Sequence, residues 1–455
     1  MKAELLEKYN VPVPRYTSYP PANYFDDSFA APDYRRVVEQ SNTVSPSHIS
    51  FYVHIPYCKR LCHYCGCNAY PMEKEKDIIA YINAVHKEID MTVALLNKTR
   101  QIAQIHYGGG TPTIIPAHYL KELNEHLLSS FSCIDSPEIA IECHPGYADM
   151  KYWELLVNAG FNRFSLGIQD FDERVLRVIN RAAPLLPISE VLKTLRQNGA
   201  KVNMDFIYGL PVQTPESFAS TISEAVALSP DRLVAFSYAH VPWVNKRQMI
   251  LEKAGLPTST AKSKMFELAT EILNANGYKS IGLDHFVKED DELYKALQDG
   301  QLHRNFQGYC TRRTTGQVYA FGVTGISQLS NAYSQNSKNI AEYIELLAGG
   351  QFPVIKGYSL NEEEQITKEV IETLMCNYSL KWDSITKTTN KSIQQIHEAT
   401  GYSEEKLRAF EADGLICFDD KGITMTDEGR LFVRNIAAAF DKLMLNSNKT
   451  FSKPV

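Results

Sequence analysis

Cys58, Cys62, Cys65 and Cys67 lie close together in the stretch SFYVHIPYCKRLCHYCGCNAY, and the chemistry of the sequence has to be read from them first. Thiolates packed this closely in one loop are metal ligands before they are anything else. Their spacing is C-x3-C-x2-C-x-C. A structural zinc site closes four donors on one centre and normally takes its second pair from distant sequence. The C-x3-C-x2-C part instead offers three thiolates, enough to hold a [4Fe–4S] cluster by three irons and leave the fourth open to a chelating small molecule. Both metals accept clustered thiolates, and the spacing ranks iron–sulfur first.

A second feature narrows the choice. Gly108-Gly109-Gly110-Thr111-Pro112 lacks the lysine of a phosphate-binding loop, and the helix after it begins only near Pro116. That is too late to present a helix N-terminus to a phosphate. Glycines there let the backbone approach a ligand and offer carbonyl acceptors to an ammonium group. A ligand with an amino acid end suits both this turn and an open iron, and S-adenosylmethionine is such a ligand.

Positioning these groups requires a scaffold. Six strand candidates, HISFYVHI, IAQIHYG, EIAIEC, FNRFSLGI, KVNMDFIYG and RLVAFSYA, alternate with helical stretches. That alternation predicts parallel βαβ units, and six of them predict an α/β fold with a partial (β/α)6 barrel. In such barrels functional groups gather at the C-terminal ends of the strands. The cysteine loop, the glycine turn, Glu142, Gln169 with Asp170, Asp205, and Tyr238-Ala239-His240 all fall there. Alone, Glu142 or Asp205 reads as a surface or capping carboxylate; six coincidences on one face argue otherwise.

Residues 1–47 read as an N-terminal arm. Their Tyr9, Tyr16, Tyr19 and Tyr24 predict an ordered, extended segment lying on something else, because disordered tails are poor in aromatics. The barrel with its C-terminal extension spans 48–345, the extension completing or covering the barrel mouth. Residues 346–455 read as a mostly helical C-terminal domain with a hairpin turning at Asp420-Lys421-Gly422 and a following helix, DEGRLFVRNIAAAFDKLM. That layout resembles a winged helix, but EEKLRAFEADG is too acidic for DNA, so it reads as a structural lid.

The net charge of -6 over 455 residues gives no global attraction to nucleic acid or anionic membrane. No apolar run is long enough to span a bilayer, and MKAELLEKYN has no signal-peptide core. Nine cysteines, an odd number with four bunched in one loop, suit a reducing compartment, so a cytoplasmic location is expected.

The loop with YVHIPYC before it and GGGTPT after it resembles the radical S-adenosylmethionine enzymes. RYTSYP, the CGC cysteine, LGIQDF, NMDFIYGLP and HRNFQGY resemble, more narrowly, the oxygen-independent coproporphyrinogen III oxidases, from about Tyr9 to the closing FSKPV. The resemblance implies that Cys58, Cys62 and Cys65 ligate the cluster, with Cys67 a non-ligand beside it. It implies that Tyr52, Gly109, Glu142 and Ile326 bind a cluster-chelating S-adenosylmethionine. A second molecule would be lined by Tyr64, Gly110, Thr111, Gln169, Arg181, Asp205 and Ala239, and Phe306 and Gln307 would serve activity near the substrate.

The implied reaction converts two propionates of coproporphyrinogen III to vinyls, giving protoporphyrinogen IX. A 5′-deoxyadenosyl radical takes a hydrogen from the propionate β-carbon, CO2 leaves, and an electron passes to an acceptor. The resemblance also implies a reduced flavodoxin- or ferredoxin-type electron donor and a monomer, with neither nucleic acid nor membrane as partner. Four substrate carboxylates call for local cations, with Arg15, His303, Arg304, Arg312 and Arg313 as candidates. Where the family reads GYTT, this chain has Gly308-Tyr309-Cys310-Thr311-Arg312-Arg313. Cys310 is then a packed, inert thiol or one that alters hydrogen or electron transfer, and the two arginines leave room for a somewhat different tetrapyrrole. A haem-binding chaperone, a radical enzyme that opens the haem ring and a zinc-structured scaffold are the competing readings.

Overall fold

In a computed structural model that describes residues 3–312, 314, 316–445, 449 and 451, the six strand candidates form one parallel run in chain order. They are β1 (Ile49–Ile55), β2 (Ile102–Gly109), β3 (Cys133–Cys143), β4 (Arg163–Gln169), β5 (Lys201–Tyr208) and β6 (Arg232–Ser237). Arg313 and the residues after Phe451 lie outside the described residues.

Each strand alternates, but not simply between apolar and exposed. Ile105 and Tyr107, Ile139 and Ile141, Phe164, Leu166 and Ile168, and Val202, Met204 and Phe206 are buried in the main apolar core with helices such as Glu75–Val93 and Pro215–Leu228. Burying each such side chain is worth about 1.5–3 kcal/mol. The residues between them, Gln104, His106, Glu138, Glu142, Arg163, Ser165, Asn203, Asp205 and Arg232, line an internal cavity. Trp153 is fully buried in the core, edge-on to Phe164 at 6.2 Å. Trp153→Ala should therefore lower unfolding free energy by about 3–5 kcal/mol in denaturant titration.

The extension adds to the sheet at both edges. Gln317–Phe321 pairs parallel with β1, followed antiparallel by Ile326–Gln328, Ala332–Asn336 and Val354–Ser359. His285–Lys288 and Tyr278–Ile281 extend the other edge beyond β6. The result is a twelve-stranded sheet. Within the extension the hairpin Leu302–Asn305/Gly308–Thr311 stands apart from that sheet and contributes to the cavity lining.

Three expectations about the ends change. The boundary placed at 345/346 falls inside the helix Ile340–Ala348, and Val354–Ser359 still belongs to the main sheet, so the helical unit starts with Glu362–Asn377. The expected single C-terminal helix breaks into Asp427–Leu431, Val433–Ala438 and Lys442–Leu445. The arm is ordered, yet it contains the helices Ala3–Tyr9 and Ala31–Gln40. Leu5, Tyr9, Tyr16 and Tyr19 are buried in the core of the C-terminal domain. The Tyr16 hydroxyl donates to Asp441 at 2.9 Å, and Arg434 Nε donates to the Pro14 carbonyl at 3.1 Å. The hairpin is tied to that domain by the Asn377 amide, which donates to and accepts from Leu302 at 3.1 Å each way.

Candidate active site

The cysteine loop leaves β1 and is pinned from three sides. The Gly110 N–H donates to the Ile55 carbonyl and the Thr111 N–H to the Tyr57 carbonyl, both at 2.8 Å. Gln248 Nε2 donates to the Tyr64 carbonyl at 3.0 Å and Asn245 Nδ2 to the Cys65 carbonyl at 2.5 Å. The Asn180 side chain donates to the Leu61 carbonyl at 3.1 Å.

The glycine turn is required by the protein's own packing as well as by any ligand. A Cβ at Gly108 would sit 2.7 Å from Glu142 Oε1, one at Gly109 2.6 Å from the His54 ring, and one at Gly110 2.7 Å from the Tyr57 carbonyl. Gly109 also has φ +115, which only glycine adopts without strain. The turn thereby lies against both the cysteine loop and Glu142. The Thr111 hydroxyl is 3.4 Å from Cys58 Sγ, and the Gly109 N–H donates to Glu142 Oε2 at 3.2 Å.

Cys58, Cys62, Cys65 and Cys67 line a cavity of about 340 Å³ together with Tyr64, Gly109, Gly110, Thr111, Glu142, Gln169, Arg181, Asp205 and Gln307. Thirteen sequence-predicted residues therefore share one wall. Arg181 Nη1 lies 3.7 Å from Cys62 Sγ and donates to the Tyr64 hydroxyl at 3.3 Å. The Cys67 N–H donates to Cys65 Sγ at 3.4 Å. The Cys65 thiol is pulled down, chiefly by a hydrogen bond from the Cys67 side chain and, against burial, by the Cys67 N–H and the Arg247 and Arg181 charges. Burial pushes Cys58 up to about 11. Gln169 ends β4 at φ +68, a strained backbone for a non-glycine residue, as sites often require.

Tyr52, Ala239, Phe306 and Ile326 do not line this cavity. Tyr52 stacks on His106, which does, with ring centroids 6.0 Å apart. The Ala239 carbonyl accepts from Gln248, the same side chain that holds Tyr64. Phe306 and Ile326 pack together against Phe25, Tyr333 and Leu360.

Of the proposed cations, Arg15 is engaged with Asp284 at 2.6 Å and Arg312 with Glu369 at 2.7 Å. His303 is held neutral, its pKa lowered to about 3 by burial and then by the Arg312 and Lys368 charges. Arg304 lies over the Tyr309 ring at 4.7 Å. Cys310 is buried on the cavity wall.

Sequence reading missed the polar floor. Gln104 Nε2 donates to Glu138 at 2.7 Å, Glu138 pairs with Arg163, and Arg163 Nη1 donates to Asn203 at 3.1 Å. Burial resists the charge on Glu138, but Arg163 and Arg232 outweigh it and hold its pKa at about 2. The signal was available: Gln104/His106, Arg163/Ser165 and Asn203/Asp205 recur at a spacing of two, and Glu138/Glu142 at four, on one face of otherwise apolar strands.

Asp205 behaves oppositely. Burial, reinforced by nearby Glu142, raises its pKa to about 6 although the Ser165 hydroxyl donates to it at 2.6 Å. The folded chain therefore binds a proton there that the unfolded chain has released, between about pH 4 and 6, and stability falls as pH rises through that window. Asp205→Asn should stabilise the cofactor-free protein on the order of 2 kcal/mol at pH 8, and the gain should vanish towards pH 4 in thermal melts.

The donor set suits a cluster with a chelating amino acid ligand. Three thiols face one cavity beside a carboxylate acceptor, Glu142, and an arginine, Arg181. Among the described residues no three His, Cys, Asp or Glu side chains converge on a point for a single ion.

The Radical SAM superfamily family matches residues 52–225, and the HemN C-terminal domain family matches residues 360–432. An oxygen-independent coproporphyrinogen III oxidase from Synechocystis is 36% identical over 98% of this chain and 96% of its own length. The Escherichia coli K12 protein of the same name is 38% identical over 96% of this chain and 94% of its own. A solved structure of Escherichia coli coproporphyrinogen III oxidase, described as a radical SAM enzyme, superimposes with a TM-score of 0.87 at 34% identity, over 97% of this chain and 98% of that one.

Proposed function

The chain belongs to the oxygen-independent coproporphyrinogen III oxidase family of radical S-adenosylmethionine enzymes, and from that premise we infer that it converts two propionates of coproporphyrinogen III to the vinyls of protoporphyrinogen IX. The observation that carries the reading is the single cavity shared by the three-cysteine loop, the glycine turn and Glu142. When bound, the cluster and S-adenosylmethionine supply a radical that removes hydrogen from the propionate β-carbon.

The chain's own groups bind, orient and exclude. Cys58, Cys62 and Cys65 are the cluster ligands, and Cys67 stands beside them with its N–H on Cys65. Glu142, fixed by the Gly109 N–H and by His106 at 3.2 Å, keeps acceptor capacity for an ammonium group. Asp205 and Gln169 suit ribose hydroxyls, and Arg181 suits a carboxylate. A second S-adenosylmethionine in the part of the cavity lined by Tyr64, Gln169, Arg181 and Asp205 is part of the proposal, with Ala239 contributing through the Gln248 clasp. Tyr52 acts through His106 beneath Glu142. Phe306 and Ile326 hold the hairpin that carries Gln307 to the cavity.

A reduced flavodoxin- or ferredoxin-type protein is the proposed electron donor, for a monomer working in the cytoplasm. No helix among the described residues is long and apolar enough to cross a membrane. The haem-chaperone and ring-opening readings lose to the full-length agreement with named oxidases. The test is anaerobic incubation of reconstituted protein with coproporphyrinogen III, S-adenosylmethionine and a one-electron reductant. Vinyl product is the expected result; ring-opened product or stable haem binding without turnover would reject the reading.

A further inference from the structure

Part of the cavity wall carries polar groups that the chemistry above leaves unused. His285 lies on the inner face in register with Val234 and, through it, with Asp205. Its Nδ1 is 2.7 Å from Asp284 Oδ1, and the other Asp284 oxygen accepts from Arg15 Nη2 at 2.6 Å. Burial opposes the Asp284 charge, but His285, Arg15 and Arg304 together hold it well below the usual carboxylate range. An anionic Asp284 assigns the proton to His285 Nδ1 and turns Nε2 towards Gly308, where a Cβ would lie 3.7 Å from it.

Beside it, Asn305 is 2% exposed and also lines the cavity. Its Oδ1 accepts from the Gln307 N–H at 3.0 Å and the Gly308 N–H at 3.1 Å, which fixes the amide orientation. Its Nδ2 is buried with no partner. Arg304, next in the chain, has Nε and Nη1 buried without partners. Two arginines, Arg15 and Arg304, thus bear on one carboxylate, Asp284. A buried donor without an acceptor costs about 1–3 kcal/mol, and more when charged. An anion at this wall would remove that cost.

We propose that Asn305 Nδ2 and His285 Nε2, backed by the charges of Arg304 and Arg15, form the binding subsite for one propionate carboxylate of the tetrapyrrole. In this subsite His285 serves as a donor at both nitrogens, Nδ1 to Asp284 and Nε2 to the propionate carboxylate. The proposal rests on the tetrapyrrole reading above. The same chemistry would accept the carboxylate of S-adenosylmethionine, so the experiment separates the two.

Asn305→Asp is the sharpest probe, because aspartate keeps the acceptor for Gln307 and Gly308 and replaces the free donor with a negative charge. The reconstituted protein is titrated anaerobically with coproporphyrin III, a fluorescent tetracarboxylate, and separately with its tetramethyl ester and with S-adenosylmethionine. The expected result is a Kd for the tetracarboxylate raised at least 30-fold, with ester and S-adenosylmethionine binding unchanged. In turnover KM should rise more than kcat falls. His285→Phe, which keeps an aromatic ring against Tyr309, should weaken tetracarboxylate binding about tenfold. Wild-type affinity for the tetracarboxylate in both variants would overturn the subsite. So would a selective loss of S-adenosylmethionine binding. Absence of vinyl product from the wild type would instead strike the function reading, which these binding titrations do not use.

Discussion

Cys62→Ser protein, reconstituted anaerobically with iron and sulfide, should show no iron–sulfur absorption and no measurable formation of vinyl product. Cys62 is 8% exposed, on the cavity wall, with the Arg181 guanidinium 3.7 Å from its sulfur. A cysteine thiolate is a soft, strong donor to iron, whereas a serine hydroxyl stays protonated at neutral pH and is a poor, hard donor. With one of three ligands lost, a cluster would be held by two irons on a loop that offers only one further thiol. That thiol, Cys67, is exposed and bound through its N–H to Cys65. Cys67→Ser should therefore keep the cluster spectrum. Iron content and visible absorption of the two variants, side by side, check both statements; a cluster of wild-type intensity in Cys62→Ser would mean that the ligand set is wrong.

Glu142→Ala should weaken S-adenosylmethionine binding by about 10- to 100-fold, as loss of a charge-assisted hydrogen bond of about 1.5–3 kcal/mol requires. The carboxylate is 45% exposed towards the cavity, so it is not a buried structural group. It also orders the glycine turn through the Gly109 N–H. Glu142→Gln separates the two roles, since the amide oxygen still accepts from Gly109 while the negative charge is gone. Equilibrium binding should show the glutamine variant between wild type and alanine. Equal affinity in all three would remove Glu142 from the cofactor site.

Much of this was legible in the sequence. The cysteine spacing and the GGGTP turn identify their own chemistry because close thiolates and three successive glycines have few other uses. The six strands could be placed because Phe164, Leu166 and Ile168 and their counterparts must face helices. What stayed hidden depends on distant pairing. Arg15 and Arg312 read as free cations until Asp284 and Glu369, far away in the chain, are seen to neutralise them. The Val354–Ser359 strand could not be assigned to the main sheet because the boundary placed at 345/346 cuts the helix that joins it to its partner, Ala332–Asn336. The glycine turn is legible in the sequence, but its packing against His54, Tyr57 and Glu142 depends on strands that meet only in the fold. Asn305 and Tyr309 enter the sequence reading only as members of HRNFQGY, with no role of their own; burial shows the Asn305 amide left without a partner.

The most direct test of the central claim is a stoichiometric one. Reconstituted protein, coproporphyrinogen III, S-adenosylmethionine and a one-electron reductant are combined without oxygen, and 5′-deoxyadenosine, CO2 and protoporphyrinogen IX are quantified together. CO2 and 5′-deoxyadenosine should rise in step, two of each for every protoporphyrinogen IX formed. Formation of 5′-deoxyadenosine with coproporphyrinogen III present but no CO2 released would contradict it.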